Sequence, residues 1–291
     1  GKPHGKGITT FTTGDTYEGE YVKGKRQGQG TYTFTDGEHY EGQWFNDHQH
    51  GIGTYTFANG NQYTGLWNID YQEGHGVMRY HNGDTYDGNW SQDMRQGEGT
   101  YRWADGAYYQ GQWHQDKKQG KGLFDWNDGT TYYGDMQNDM RQGYGTYNYA
   151  NGDNYKGQWQ NDVMHGKGIY TFANGDRYEG DYQQGRRSGQ GIFTYTDGSK
   201  YVGTFRDGLM EGFGTYTWAD GSTYEGTFNY QIVVDVRYQD GTFKGNDVTD
   251  TWKQGLNLTE IERERLRKIE RIRQEIAALV AQADTTAANS L

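Results

Sequence analysis

The chain has 291 residues, with 28 Lys and Arg against 39 Asp and Glu, a formal net charge of −11 at pH 7, and no cysteine. The lack of cysteine excludes disulfides and thiolate metal sites, and no apolar run reaches the roughly 18 residues that a membrane-spanning helix needs. Aromatic residues make up 16% of the sequence, with 27 Tyr and 9 Trp. Because disordered chains are poor in aromatic residues, this composition indicates an ordered protein built on rings.

The N-terminal segment does not resemble a targeting signal. Residues 1–4 lack the apolar core of a secretory signal, so we expect a cytoplasmic protein. The chain also begins without Met, and its segment His4-Gly5-Lys6-Gly7 matches the middle of later segments. We therefore expect a processed, trimmed or partial chain.

A Tyr-x-Gly triplet returns every 23 residues, ten times, along most of the sequence. A fixed period of this size predicts one small supersecondary unit stacked repeatedly, with each copy contacting mainly its neighbours. Function is then expected on an extended surface. The triplets begin at Tyr17, Tyr40, Tyr63, Tyr86, Tyr109, Tyr132, Tyr155, Tyr178, Tyr201 and Tyr224.

Each copy has the pattern of a β-hairpin. In the copy that spans residues 28–46, two runs of alternating residues flank the dipeptide Asp36-Gly37. Asn-Gly and Asp-Gly dipeptides tolerate the positive φ values of tight turns, so each is predicted to connect two strands. The dipeptide recurs with Gly at positions 60, 83, 106, 129, 152, 175, 198 and 221.

The alternation of side chains in a strand assigns the faces. Tyr40, Gly42 and Trp44 are predicted to share one face, with Glu41 and Gln43 on the other. The same parity places all the large rings on one side of the sheet. The repeated glycines fall on that side too, where a missing side chain leaves room for a ring to lie against the backbone.

These residues resemble the MORN repeat over residues 1 to about 245. The resemblance rests on Tyr-x-Gly-x-Trp, a polar loop and His/Gln-Gly-x-Gly, as in residues 155–159 and 165–168. It implies an all-β repeat fold, an elongated, twisted, single-layer antiparallel ribbon of successive β-hairpins with an aromatic-lined groove. We predict tandem repeats over residues 1–231, followed by a C-terminal α-helix.

The repeat pattern fails after Phe228. Asp235 and Arg237 stand where Gly-x-Gly is due, and Phe243-Lys244-Gly245 replaces the triplet. Terminal repeats are commonly atypical because their outer edge must not pair further. Residues 232–255 are therefore predicted to form a degenerate terminal repeat, or cap.

Residues 256–291 have the composition of a helix and tail. Thr259 and Glu262 form a capping box, and a helix is predicted over about 259–283. Its apolar stripe leaves three alternatives, namely a helix folded back on its own ribbon, a self-association contact, or an insert into a partner. The predicted contact residues are Ile269, Ile272, Ile276 and Leu279.

The ring face is the predicted site. Burial of exposed rings under a second layer is favourable, and rows of aromatic residues are common hot spots of binding. We expect a partner protein's helix or peptide in the groove. The alternative for any single ring is purely intramolecular stacking. The predicted groove residues are Tyr55, Phe57, Trp67, Tyr101, Trp103, Trp113, Tyr147, Tyr149, Trp159, Tyr170 and Phe172.

Charge argues against two other partner classes. Some MORN proteins, such as junctophilins, are linked to phospholipids, but the basic segments 23–26, 117–118 and 186–187 are interrupted by acidic copies and are interpreted as solvated loop tips. A membrane tether therefore stays a weaker alternative. A net acidic repeat region would repel a phosphate backbone, so no nucleic-acid partner is expected.

No catalytic constellation can be assembled from the sequence. His4, His50 and His165 lie whole repeats apart, and the Gly-x-Gly segments precede no helix that could bind a phosphate. We predict no catalytic residue, cofactor or metal, and therefore a non-enzymatic scaffold. By resemblance it belongs with cytoskeletal or axonemal components, and the remaining alternative is the accessory repeat region of a larger enzyme whose catalytic domain is missing.

Overall fold

A computed structural model describes residues 1–228 and 242–244. The chain divides into two compact units, unit 1 from Gly1 to Asp139 and unit 2 from Met140 onward. The predicted helix with its four contact residues, and the predicted cap apart from 242–244, lie outside the described residues.

Unit 1 is one antiparallel sheet in which every strand pairs with its neighbours in the chain. Its strands are β1 (Gly5–Thr10), β2 (Thr16–Val22), β3 (Lys25–Thr33), β4 (His39–Phe45), β5 (His48–Thr56), β6 (Gln62–Asn68), β7 (Tyr71–Arg79), β8 (Thr85–Ser91), β9 (Met94–Arg102), β10 (Tyr108–His114), β11 (Lys117–Asp125) and β12 (Thr131–Gln137).

Unit 2 repeats this arrangement, and its strands also pair in chain order. The prediction of an all-β repeat of successive hairpins is therefore confirmed. The strands are β13 (Met140–Asn148), β14 (Asn154–Gln160), β15 (Val163–Thr171), β16 (Arg177–Gln183), β17 (Arg186–Thr194), β18 (Lys200–Arg206), β19 (Leu209–Thr217), β20 (Thr223–Phe228) and β21 (Thr242–Lys244).

Two kinds of connection alternate along the chain. The Asp36-Gly37 dipeptide lies between β3 and β4 as predicted, but in a longer loop in which Gly37 has a φ of 93° and its N–H donates to the Phe34 carbonyl at 3.1 Å. The two-residue turn is instead Asn46-Asp47, between β4 and β5, with φ values of 50° and 76°. Positive φ at both positions is the mark of a type I′ turn, so the tightest turn lies in the segment predicted only as a polar loop.

A β-bulge recurs in most of the described repeats. Gly42 pairs with Gly53 and Trp44 pairs with Gln49, so the strand β5 carries extra residues at this point. Gly51 lies in the bulge with a φ of 65°, a value that favours glycine. Bulges increase the local twist of a sheet, and the same register shift occurs in eight strand pairs of the described residues, so the bulge recurs with the period of the repeat.

Burial confirms the predicted parity, with exceptions. In β4 the side chains of Tyr40 and Trp44 are buried, and those of the alternating residues between them are exposed. The prediction that all large rings lie on one side is wrong for Tyr133, Tyr144 and Phe213, which are 59%, 54% and 60% exposed. These three occupy strand positions of the opposite parity, where the repeat usually carries polar residues.

The core lies on the ring face, where triplet tyrosines cover glycine. The Tyr40 hydroxyl donates to the Gln43 carbonyl at 2.8 Å. A Cβ built on Gly42 would lie 2.7 Å from that hydroxyl, and one on Gly53 would collide with the Tyr40 ring. The predicted close approach of ring to backbone is confirmed at these two glycines.

The last described strand departs from the sequence interpretation. In β21, Phe243 pairs with Tyr224, just as Tyr216 pairs with Tyr201 one repeat earlier. Phe243 therefore stands at the first-strand ring position and not in place of the Tyr-x-Gly triplet.

Candidate partner-binding site

The rings of successive repeats interlock on the ring face. The Tyr40 ring meets Trp44 of its own repeat and Trp67 of the next edge to face, with centroids 5.2 and 5.3 Å apart. The Trp44 indole N–H donates to the Gly30 carbonyl at 3.0 Å. Because each ring contacts two repeats, much of the aromatic surface is used inside the sheet.

The predicted groove residues divide into two sets. Six are buried and pack within their own unit, which leaves them little surface for a partner. Five are only half-buried. The role of either set in partner binding stays a prediction. The buried set is Trp67, Trp113, Tyr147, Trp159, Tyr170 and Phe172, and the half-buried set is Tyr55, Phe57, Tyr101, Trp103 and Tyr149.

A basic side chain covers the tryptophan in several repeats. The guanidinium carbons of Arg26, Arg95 and Arg141 lie 4.3, 4.4 and 4.5 Å from the centroids of the tryptophan rings that they cover. Those rings are Trp44, Trp113 and Trp159. Cations over indole faces are attracted by the ring quadrupole, so these arginines form a second layer over the rings.

An aspartate from the tip of the following two-residue turn holds each of these arginines. Arg95 donates from Nε to Asp116 Oδ1 at 3.0 Å and from Nη2 to the Asp116 main-chain oxygen at 2.9 Å, while its backbone N–H donates to Oδ1 at 2.9 Å. The same three groups of Arg141 donate to Asp162. One aspartate thus joins the backbone and the side chain of the preceding repeat.

The interpretation of the basic segments as solvated loop tips is wrong for one member of each. The side chains of Arg26 and Lys118 are 22% and 17% exposed, and Arg187 is buried. Their neighbours Lys25 and Lys117 are exposed. Strand parity explains the difference, because adjacent residues point to opposite faces of the sheet.

Two consecutive repeats in unit 1 lack the basic side chain. Gln49 and Gln72 stand in its column, 23 residues apart, and the tip aspartates Asp70 and Asp93 are retained. A cleft of about 610 Å³ opens here. We call it the ring-face cleft and define it by the lining residues Gln49, Phe57, Trp67, Gln72, Tyr80 and Asp93.

The ring-face cleft is acidic. Besides Asp93, its lining includes Asp70, Asp116 and Arg95. Asp116 is paired with Arg95, and Asp70 accepts from the exposed imidazole of His48 at 2.6 Å. Asp93 accepts from the Gln72 backbone N–H at 2.8 Å and has no ion pair among the described residues. Three carboxylates against one guanidinium favour a cationic occupant.

The MORN-repeat family model matches this sequence ten times in succession. The matched segments are residues 1–16, 17–39, 40–62, 63–85, 86–108, 109–131, 132–154, 155–177, 178–200 and 201–223. The chain belongs to the MORN-repeat family. The match ends at residue 223, short of the residue 245 expected from the sequence pattern.

Other comparisons add less. No curated protein sequence matched the chain. Two solved structures are similar to parts of it. A single-residue variant of the TCP10 domain of Danio rerio CPAP is 13% identical with a TM-score of 0.39, and the match covers 67% of this chain and 91% of that one. The TCP domain of Drosophila melanogaster SAS-4, in complex with a proline-rich motif of Ana2, is 16% identical with a TM-score of 0.34, and the match covers 53% of this chain and 85% of that one.

A second carboxylate links neighbouring MORN repeats at the other loops. Glu38 accepts from the Tyr55 hydroxyl and, at 3.1 Å, from the backbone N–H of Ala58. The hydrogen bond from Tyr55 holds the pKa of Glu38 below its ordinary value. Burial, followed by this hydrogen bond, raises the pKa of Tyr55 above its ordinary value. The hydroxyl of Tyr55, which also lines the ring-face cleft, is therefore held in place by Glu38.

The face opposite the rings carries a surface that the sequence interpretation missed. A cleft of about 570 Å³ in unit 2 is lined by Tyr144, Ile169, Ile192 and Val202 among other residues. Sequence parity could have found it, because these apolar residues all fall at positions that are polar in most MORN repeats. Its charged lining residues are Lys156, Lys167 and Glu179, so it lacks the acidic excess of the ring-face cleft.

Neither metal-binding nor membrane-spanning features occur in the part of the chain that the structure describes. Residues 1–228 contain no group of three or more His, Asp or Glu side chains placed to hold a metal ion. Over the same residues there is no helix of sufficient length and apolar character to cross a bilayer.

Proposed function

We propose that this MORN-repeat protein is a non-enzymatic scaffold that holds a helix or peptide of a partner protein against the ring face of unit 1. The ring-face cleft carries the proposal. It combines half-buried Phe57 and Tyr80 with the carboxylates Asp70 and Asp93 in one concave surface of about 610 Å³. Concave sites with mostly aromatic walls and a few polar groups are the usual form of binding sites.

The sheet suits a helical partner because its repeat matches a helical spacing. Two strands advance by about 10 Å at about 4.8 Å each, and seven residues of an α-helix advance by about 10.5 Å. Side chains seven residues apart on a helix would therefore meet equivalent positions in consecutive repeats.

A selection experiment tests the proposal. Peptides selected from a displayed library of helical sequences on the full chain should bind less well to the variants Phe57→Ser and Tyr80→Ser. The matched control is Ile52→Ser, which changes a residue that is 63% exposed on the opposite face. Peptides that lose binding only with Ile52→Ser would place the interaction on the wrong face and overturn the proposal.

Two finer features are also proposed, one from the family resemblance and one from the apolar stripe of the C-terminal segment. We propose a cytoplasmic place in a cytoskeletal or axonemal assembly, and self-association through the C-terminal segment. Colocalisation of the tagged full chain with microtubule structures in its own cells tests the first. A phospholipid tether is the competing function, and binding of the full chain to anionic vesicles at physiological salt would favour it instead.

A further inference from the structure

We propose that the ring-face cleft is a receptor for two arginine side chains of the partner, one at Gln49 and one at Gln72. This proposal rests on the proposed function, since it names the chemistry of the segment that the ring face would hold. The neighbouring repeats provide the template, because there the chain's own arginines occupy the same column.

The repeats that carry arginine show which groups surround a guanidinium at such a position. Arg26 donates from Nη2 to the Asp47 main-chain oxygen at 2.7 Å and lies over Trp44, and Arg95 and Arg141 repeat this arrangement. At Gln49 and Gln72 the corresponding tip aspartates Asp70 and Asp93 are present. Among the described residues, no side chain donates to the main-chain oxygen of either aspartate. The acceptors of the arrangement are thus kept while the donor is missing.

The glutamines add a second, independent observation. Gln49 and Gln72 are 9% and 5% exposed and line the cleft. Only their backbone groups are hydrogen-bonded, and their side-chain amides have no partner among the described residues. Neither amide is among the fully buried unpaired groups of the described residues, so the amide atoms face the open cleft, where a ligand can reach them. A guanidinium offers five N–H donors and accepts no hydrogen bond, so it complements an amide oxygen next to a carboxylate.

Charge and shape favour arginine over an apolar side chain. The Asp93 carboxylate lacks a cationic partner in unit 1, and burying it under an apolar side chain would leave its charge uncompensated. The half-buried rings of Phe57 and Tyr80 offer faces on which a planar guanidinium can stack. One arginine side chain can both neutralise the carboxylate and stack on a ring.

The test uses the full chain and three helical peptides of about 20 residues. One carries two arginines seven residues apart, the spacing that matches one repeat. The second carries citrulline, a neutral analogue of the same shape, at both positions. The third has both arginines four residues apart. We expect the first peptide to bind about tenfold or more tightly than the other two, and more weakly as salt is added.

Variants of the chain separate this inference from the proposed function. Gln49→Arg with Gln72→Arg should fill the cleft with the chain's own guanidinium groups, raise the melting temperature, and weaken binding of the first peptide about tenfold or more. Asp93→Asn, which keeps the acceptor for the Gln72 backbone N–H, should also weaken it. The control Asp87→Asn changes an exposed carboxylate that pairs with His75 and should leave binding unchanged.

The outcomes that overturn the inference are distinct. Equal binding of the arginine and citrulline peptides, or undiminished binding to the doubly substituted chain, would overturn it. So would failure of the first peptide to bind. Peptides from the library selection that need Phe57 and Tyr80 but no arginine would overturn the inference and leave the proposed function standing.

Discussion

The guanidinium carbon of Arg95 lies 4.4 Å from the centroid of Trp113, and the same guanidinium donates to Asp116 of the following turn. One side chain therefore joins the ring layer to the next repeat. Similar arrangements at Arg26 and Arg141 show that this contact belongs to the architecture in both units. The charged layer covers rings that a solitary sheet would otherwise leave in water.

Replacement of Arg95 by glutamine should destabilise the fold. The change removes a partly buried cation–ring contact and two hydrogen bonds to Asp116, and we expect a loss of about 1–3 kcal/mol in the free energy of unfolding. Urea denaturation followed by tryptophan fluorescence measures it. The control is Arg102→Gln, since Arg102 is exposed and lies 4.8 Å from the Tyr108 centroid. Equal effects of both changes would contradict the assignment.

Alanine at Gly53 should disrupt the Tyr40 position. A Cβ there collides with the Tyr40 ring, and overpacking of a filled core costs about 1–3 kcal/mol. Gly7 occupies the same place in the first strand, but its Cβ would meet only Tyr21 atoms at 3.8 Å. Thermal melting of Gly53→Ala and Gly7→Ala should therefore differ clearly. A Gly53→Ala chain as stable as the original would show that Tyr40 can move aside.

Acid should weaken the contact between Glu38 and Tyr55. The hydrogen bond from Tyr55 lowers the pKa of Glu38 in the folded chain, so the unfolded chain binds its proton first as the pH falls. This contribution to stability is fully present above the ordinary Glu pKa of about 4.3 and is lost as the pH falls through the folded value. Glu38→Gln and Tyr55→Phe should both flatten the pH dependence of unfolding in that range. An unchanged slope in both variants would refute the coupling.

Alkali should unfold the sheet through its buried tyrosines. Burial raises the pKa of Tyr63, Tyr86 and Tyr109 well above the ordinary value of about 10. The folded chain then keeps protons that the unfolded chain releases, so stability is present below about pH 10 and is lost at higher pH. Phenolate absorbance of these tyrosines should rise together with loss of circular dichroism. The same titration in denaturant is the control, and full ionisation near pH 10 with intact structure would contradict the prediction.

The C-terminal segment is predicted to contribute an apolar helix face. Ile272→Asp with Ile276→Asp should therefore change the assembly state or lower the melting temperature of the full chain. Light scattering and thermal melting measure the two effects. Arg273→Glu with Gln274→Glu, which adds negative charge between the two isoleucines in the sequence, is the control. No effect of the isoleucine changes would show that this face contacts nothing.

Much of the fold could be predicted because period and parity are local properties. The spacing of Tyr40 and Tyr63 gives the repeat, and the alternation around Tyr40, Gly42 and Trp44 gives the buried face. These signals do not depend on distant residues, since each repeat contacts mainly its neighbours. The five-residue loop at Asp36-Gly37 and the tight turn at Asn46-Asp47 were harder to separate, because both dipeptides tolerate positive φ.

The candidate site was less accessible to sequence reasoning. Arg26 looked like part of a basic loop, and only its position two residues before Gly28, repeated at Gln49 and Arg95, places it in a column over the tryptophans. Aligning the repeats by column would have revealed the two glutamines. The burial of Trp67 could not be predicted from hydrophobicity, since it depends on packing against Tyr40 and Tyr63.

In the part of the chain that the structure describes, the polar contacts named above link each repeat to its neighbour: Arg95 is held by Asp116, and Glu38 by Tyr55 and Ala58. A block of 23 residues can therefore be duplicated or lost by unequal recombination without demanding any new bond. Selection can therefore adjust the length of such an array by whole repeats.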